Sequence, residues 1–332
     1  MHPELFLASL AFGLSGAWTV GQVGKKFSLI DLPNERSSHS QPTPRGGGVG
    51  ILAALAMAGI VSGLSIWLLG PLCALSLMAG YGDKVELSAR LRLAGQLVLI
   101  AAFVLATSRS PACRYFTSPL ASFWIIYIVG TANFYNFMDG INGIAGITGV
   151  VGFSLLSFYI YRWGGQTALG VLSLCMAFSC IGFLPLNMPR ARVFMGDVGS
   201  ILLGAVFASL VFLASRTFLD FLCMSSLLFP FYADELSTMV VRLRDGENLT
   251  EAHRRHIYQL LANERRIAHW KVSVGYGIMQ VLVGVSVLLA RPIGLLAVLG
   301  VLAGWFGFFV TCGYYVRAST ERKEHRIRTL SV

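Results

Sequence analysis

Apolar runs of roughly 20 residues recur along this chain, and each is long enough to cross a bilayer as a helix. They lie at 3–20, 47–64, 66–80, 91–108, 120–137, 144–161, 167–188, 199–215, 218–240, 272–290 and 293–316. The pattern predicts an all-α fold: a polytopic transmembrane helical bundle of about eleven spans, forming one domain over residues 1–332. The third run is short and its border with the second is weak. Only 13% of the residues are charged against 55% hydrophobic, with a mean hydropathy of +0.68. A soluble domain carries about 25% charged residues, so the deficit points to lipid as the solvent. The first run lacks a basic leading segment and a clear cleavage site, and reads as a retained span.

The net charge of +10 would, in a soluble protein, suggest nucleic acid. Here the basic residues sit in short loops between apolar runs, so no nucleic-acid partner is expected. With the N-terminus periplasmic, all but five of the 26 Lys and Arg fall on one side. That side holds Lys25, Lys26, Arg36 and Arg45, Lys84, Arg90 and Arg92, Arg190 and Arg192, the loop 241–271 and the basic tail 317–332. The exceptions are Arg109, Arg114, Arg162, Arg216 and Arg291. The bias makes the richer side cytoplasmic, and the C-terminus with it. The six cysteines form no CxxC pair. Most sit in apolar runs as small hydrophobes, and Cys113, in an outer loop, has no obvious partner, so neither a disulfide framework nor a zinc site is expected.

The acidic residues sharpen this picture. Asp83, Asp139, Asp197 and Asp234 each lie at or beside a cytoplasmic span end, where carboxylates are costly unless paired or functional. Pairing with loop arginines accounts for one such acid more easily than for four on one rim.

Five stretches on that rim carry chemistry. In Asn133-Phe-Tyr-Asn136-Phe-Met-Asp139-Gly140-Ile-Asn142-Gly143, Asn133, Asn136 and Gly140 fall on one helix face, and glycine lets a ligand or backbone approach closely. A capped helix end leaves the repeated Asn spacing unexplained. Phe194-Met-Gly-Asp197-Val-Gly-Ser200 precedes an apolar run. A turn at a helix N-terminus presents free N–H groups and the positive dipole end to a phosphate. An Asp there suits Mg²⁺, which binds through one or two carboxylates plus substrate phosphates. An ordinary helix start is the plain alternative.

In Glu251-Ala-His253-Arg254-Arg255-His256-Ile-Tyr258-Gln259 two histidines flank two arginines. Arg suits phosphate geometry and His can donate to sugar or phosphate oxygens; a solvated basic loop accounts for the arginines only. Arg36-Ser-Ser-His39, followed by Pro44-Arg45-Gly46-Gly47-Gly48, enters the second span and reads either as a close-approach site or as a linker. Gly80-Tyr-Gly82-Asp83-Lys84-Val-Glu86-Leu87-Ser88-Ala-Arg90-Leu-Arg92 lies on the same side.

Together these stretches resemble the polyprenyl-phosphate N-acetylhexosamine-1-phosphate transferases (glycosyltransferase family 4), over most of the chain and in the family's order. The HRRH form is similar to the O-antigen-initiating branch rather than the peptidoglycan branch. The resemblance implies transfer of a HexNAc-1-phosphate from a UDP-sugar to undecaprenyl phosphate at the cytoplasmic face of the bacterial inner membrane, with release of UMP, a requirement for Mg²⁺ (or Mn²⁺), and a start to O-antigen lipopolysaccharide. It implies Asp197 as metal ligand, Phe194 against the uracil, and Asn136, Asp139, Asn142 and Asn187 lining the nucleotide site. His253, Arg255 and His256 would face sugar and diphosphate, with Arg254, Arg45, Gly47 and Asn133 as further contacts, and Asp83, Asp139, Asp197, His253 and His256 as the catalytic set. The family usually has an Asp-Asp pair in the fifth stretch. Here Asp83 matches the second Asp, and Gly82 stands where the first belongs. A phosphate monoester, with a second pKa of about 6, is already ionised at neutral pH, so positioning and charge screening matter more than a base. That favours direct attack, with Asp83 orienting the acceptor. The competing class is a transporter of an anionic solute, whose site would lie near the bilayer midplane; here the charges lie at one edge. The choice among GlcNAc, FucNAc and QuiNAc, and between monomer and homodimer, stays open.

Overall fold

The computed structural model describes residues 3–24, 26–33, 38–85, 87–107, 120–248 and 253–330, with side chains described as far as residue 320. Lys25, Arg36, Glu86, Arg109, Cys113, Arg114 and Glu251 lie outside the described residues. The apolar runs become helices: α1 (Pro3–Val23), α2 (Val49–Val61), α3 (Ile66–Lys84), α4 (Ala89–Thr107), α5 (Ala121–Phe137), α6 (Ile144–Tyr159), α7 (Thr167–Asn187), α8 (Asp197–Ala214), α9 (Phe218–Ser225), α10 (Phe229–Arg244), the single turn α11 (Ile257–Gln259), α12 (His269–Ala290) and α13 (Leu295–Leu330). A short antiparallel pair, Ile30–Asp31 with Thr43–Pro44, closes the loop before α2.

Eight of these helices, among the described residues, are long and apolar enough to cross a membrane, which makes the chain a multi-pass membrane protein. Three of the expected spans do not meet that measure. The run 47–64 yields only the 13 residues of α2, and α5 has 17. The run 218–240 is not one helix: a 3₁₀ turn at Ser226–Leu228 divides α9 from α10. Pro230 opens α10 at its first turn, where a proline loses nothing because the N–H there has no helical partner.

α8 sits at the centre, with almost every side chain buried, and packs against α3 and α5. α1 packs on α2 and α7, and α6 on α7 and α12. α13 lies at the periphery. Small residues permit these approaches: a Cβ on Gly48 would stand 2.4 Å from the Gly199 Cα. The central position of α8 holds Asp197, its first residue, in the middle of one end of the bundle. The C-terminal ends of α3, α5 and α7 and the N-terminal ends of α4, α6 and α12 surround it.

Candidate active site

The loop before α8 is stitched to the loop before α2. Phe194 N–H donates to the Pro44 carbonyl (2.8 Å), while Gly47 and Gly48 N–H donate to the Phe194 and Met195 carbonyls (2.9 Å each). Gly47 therefore serves backbone pairing; its Cβ position is hemmed in by Phe183 and Val193, and it lines neither cavity described below. Gly196 has φ +73° and a Cβ there would lie 2.9 Å from Asp83 Oδ2, so the sequence needs glycine on both counts. It lets Asp83 reach the start of α8, where Oδ2 accepts from the Asp197 N–H at 2.9 Å. Arg45 donates to the Asp83 carbonyl and stands 3.7 Å from its carboxylate.

α5 ends at Phe137, so Gly140 does not continue the face of Asn133 and Asn136; it lies in the turn beyond. Its missing side chain makes room for Tyr258, whose hydroxyl would touch a Cβ there. Asn133 donates to Gln96 Oε1 (2.6 Å), and Asn136 accepts from Ser200 Oγ (2.5 Å). Asn187 joins two loops: its Oδ1 accepts from the Gly143 N–H (2.7 Å) and its Nδ2 donates to the Val193 carbonyl (3.0 Å). Asn142 N–H donates to His269 Nδ1 at 3.4 Å.

Two cavities open at this end. One, of about 280 Å³, is polar and lined by Arg45, Asp83, Asn136, Asp139, Asn142, Asn187, Phe194 and Asp197, together with Asp31, His39, Gln259 and His269. His39 meets the Phe194 ring edge-on, with centroids 4.8 Å apart. The other, of about 440 Å³, has an apolar wall of Met78, Leu93, Phe134, Phe137, Ile201 and Met239 and a polar wall of Arg92, Asn133, Glu235, Arg242, His253 and His256. Asn136, Asp197 and Gln259 belong to both. Arg92 holds Asp197 at 3.2 Å from one side of this junction.

Asp139 lies just past α5. Its removal from water, with Asp197 and Asp83 adding repulsion, pushes its carboxyl well above the ordinary carboxylate range. Among the described residues no three acidic, His or Cys side chains converge as a closed metal site. Three carboxylates lining one cavity still repel one another, and that donor set fits Mg²⁺ with open positions for phosphate oxygens better than an all-protein cage.

The loop carrying the two histidines is anchored from below by Asp234 of α10. This fully buried carboxylate accepts from the Ile257 and Tyr258 N–H groups (2.8 and 3.1 Å), Tyr276 Oη (2.6 Å) and Thr238 Oγ1 (3.2 Å). Burial, reinforced by His256 and Arg242, pushes His253 down to about 4, so it is neutral at pH 7. Its Nδ1 accepts from the Arg255 N–H at 3.4 Å, which leaves Nε2 as the donor. The two loop arginines face away from these cavities. Arg255 is engaged by Asp245 (2.6 Å) and Glu247, and neither Arg254 nor Arg255 lines a cavity. The cations that do are Arg45, Arg92 and Arg242. Gln96, Glu235, Arg242 and His269 are site residues the motifs did not single out. Glu235 carried the one available signal, a second acid inside an apolar run.

Known proteins similar to this chain identify its family. Glycosyl transferase family 4 matches residues 65–215. The undecaprenyl-phosphate alpha-N-acetylglucosaminyl 1-phosphate transferase of Thermotoga maritima is 31% identical over 285 residues, 84% of this chain and 88% of the relative. The decaprenyl-phosphate N-acetylglucosaminephosphotransferase of Mycobacterium leprae is 29% identical over 308 residues, 78% of this chain and 77% of the relative. The phospho-N-acetylmuramoyl-pentapeptide-transferase of Staphylococcus saprophyticus is 31% identical over 146 residues, 41% of this chain and 44% of the relative. The fold is that of a multi-pass membrane protein, and these relatives are polyprenyl-phosphate sugar-1-phosphate transferases. The chain belongs to the polyprenyl-phosphate N-acetylhexosamine-1-phosphate transferases of glycosyl transferase family 4.

Proposed function

We propose that this protein transfers a HexNAc-1-phosphate from a UDP-sugar to undecaprenyl phosphate at the cytoplasmic face of a bacterial inner membrane, and that the product starts an O-antigen chain. The observation that carries this reading is the pair of cavities sharing Asn136, Asp197 and Gln259. A reaction between a polar and a lipid substrate needs two differently lined sites with one meeting point. The polar cavity suits the nucleotide, with Phe194 and His39 against the base. The larger cavity suits the sugar, under the loop 253–259, and the lipid phosphate, entering along Met78, Leu93, Phe137 and Met239.

In the proposed step an oxygen of the lipid phosphate bonds to the β-phosphorus and the bond to UMP breaks; UMP keeps the electron pair. The acceptor arrives ionised, so no side chain has to take its proton. Asp83 is already committed to the Asp197 N–H and to Arg45, which favours a positioning role over that of a nucleophile. Arg92 and His253 screen and hold phosphate oxygens, the chief demands of phosphoryl transfer, while Arg242, held by Glu247 and the Asn248 carbonyl, adds positive charge to the wall. Asp197, with Asp139 or Asp83 beside it, would hold Mg²⁺ (or Mn²⁺), which neutralises diphosphate charge when bound.

The test is incubation of membranes with labelled UDP-GlcNAc and undecaprenyl phosphate. Expected is a labelled lipid diphosphate with UMP released, lost with EDTA and reduced by about 10³-fold in Asp197→Asn. Uptake of solute without lipid product would instead identify a transporter.

A further inference from the structure

Glu235 does nothing for the fold that its neighbour does. Asp234 is surrounded by donors from α10, α11 and α12. Glu235, one residue on, has a side chain only 5% exposed and projects into the larger cavity beside Arg242, His253 and His256. Its Oε2 has no hydrogen-bond partner; His256 Nε2 stands 3.4 Å away, outside hydrogen-bond alignment. A buried carboxylate oxygen without a donor is unfavourable, and an ionised carboxylate can only accept.

The assignment that follows rests on the function proposed above. Of the groups entering this cavity, the phosphates are anionic and repelled by a carboxylate. The polyprenyl tail offers no donor. The sugar offers several hydroxyls and an amide N–H, all donors. Arg92, on the same wall, serves the phosphates. We infer that Glu235 is a specificity-determining residue that accepts a hydrogen bond from a hydroxyl of the donor sugar, and so selects a fully hydroxylated hexosamine over its deoxy analogues. A site built to bond a hydroxyl rejects the analogue lacking it far more strongly than an apolar pocket rejects an extra one.

The experiment compares wild type, Glu235→Leu and Glu235→Asp, all in membranes, with UDP-GlcNAc and its 3-, 4- and 6-deoxy analogues, reading kcat/KM for lipid product. Wild type should disfavour one of the deoxy donors by at least about 10²-fold. In Glu235→Leu, which removes the acceptor at similar volume, that preference should shrink by about tenfold or more, because the parent sugar loses activity and the deoxy donor hardly does. Glu235→Asp, which keeps the charge but shortens the reach, should give an intermediate preference. An equal loss with all four donors would mean that Glu235 only steadies His256, and would overturn the inference while leaving the transferase function intact. A preference unchanged in both variants overturns it as well. If wild type transfers no sugar from any UDP donor, the functional reading itself fails and the inference falls with it.

Discussion

The bundle has a buried acid at each end, and the two are treated in opposite ways. At the end away from the cavities, Asp220 accepts from Tyr159 Oη (2.6 Å), Arg291 Nη2 (2.9 Å), Thr217 Oγ1 (2.9 Å) and the Thr217 N–H (3.1 Å). Arg291 in turn donates to Tyr159 Oη (2.7 Å) and stacks 4.6 Å from the Trp163 ring centroid. Each charge there is met by the chain itself. At the other end Asp83, Asp139 and Asp197 line one cavity together. Glu235 Oε2 and His39 Nε2 are left without hydrogen-bond partners. The first arrangement ties α6, α9 and α12 to one another. The second gathers like charges around a shared open space, the pattern of a binding site rather than of a structural polar cluster.

Substitutions at the two ends should therefore diverge. The largest effect on catalysis after Asp197 is expected at Asp83: Asp83→Asn loosens the start of α8 and should lower kcat by about 10²-fold, since misplacement of a reacting group by about 1 Å costs that much. A single-turnover assay of lipid product reads it. Arg291→Ala should do the reverse. It strands Asp220 with fewer donors and should lower stability by on the order of 3 kcal/mol, seen as a drop in detergent melting temperature, while KM for the UDP-sugar stays within about twofold of wild type. A changed KM with an unchanged melting temperature would erase the distinction between the ends.

Asp139→Asn should stabilise the empty protein. The native carboxyl is held above its unfolded value of about 3.9, so between the two values the folded chain binds the extra proton. Stability thus falls as pH rises through that window. Removing the charge should raise the melting temperature near pH 7 by about 2–4 °C, flatten its decline with pH, and weaken the further rise given by Mg²⁺. Thermal melts from pH 4 to 8, with and without Mg²⁺, measure all three. The smallest effect is expected at Gly82→Asp. A Cβ there meets only Arg92 Cδ at 3.5 Å and Leu87 Cδ1 at 3.7 Å, so the melting temperature should move by no more than about 1 °C. If the variant gains activity, the missing carboxylate of the family's Asp pair limits this enzyme.

Much of this was legible in the residues. Long apolar runs became helices because nothing else satisfies a backbone in hydrocarbon. The stretch around Asp197 falls at the start of α8, and Asn142 and Asn187 face the same polar cavity. The division of α9 from α10 was hidden by uniform apolarity, although Phe229-Pro230 marks it. The direction of the loop arginines was illegible for a different reason. The sequence sets Arg255 between His253 and His256, but Asp245 and Glu247 compete for it, and only the folded path of the loop decides the competition. Gln96 and His269 join the site through the packing of α4 and α12, which leaves no mark on either segment alone.

The three residues common to both cavities also bear on inhibition. Pockets for small ligands measure about 300–1,000 Å³, and each cavity alone is near or below the lower part of that range. A compound joining a uridine-like group to a short lipid across Asn136, Asp197 and Gln259 gives up its translational freedom once rather than twice. Linked in this way, two weak fragments gain the advantage of a high effective concentration.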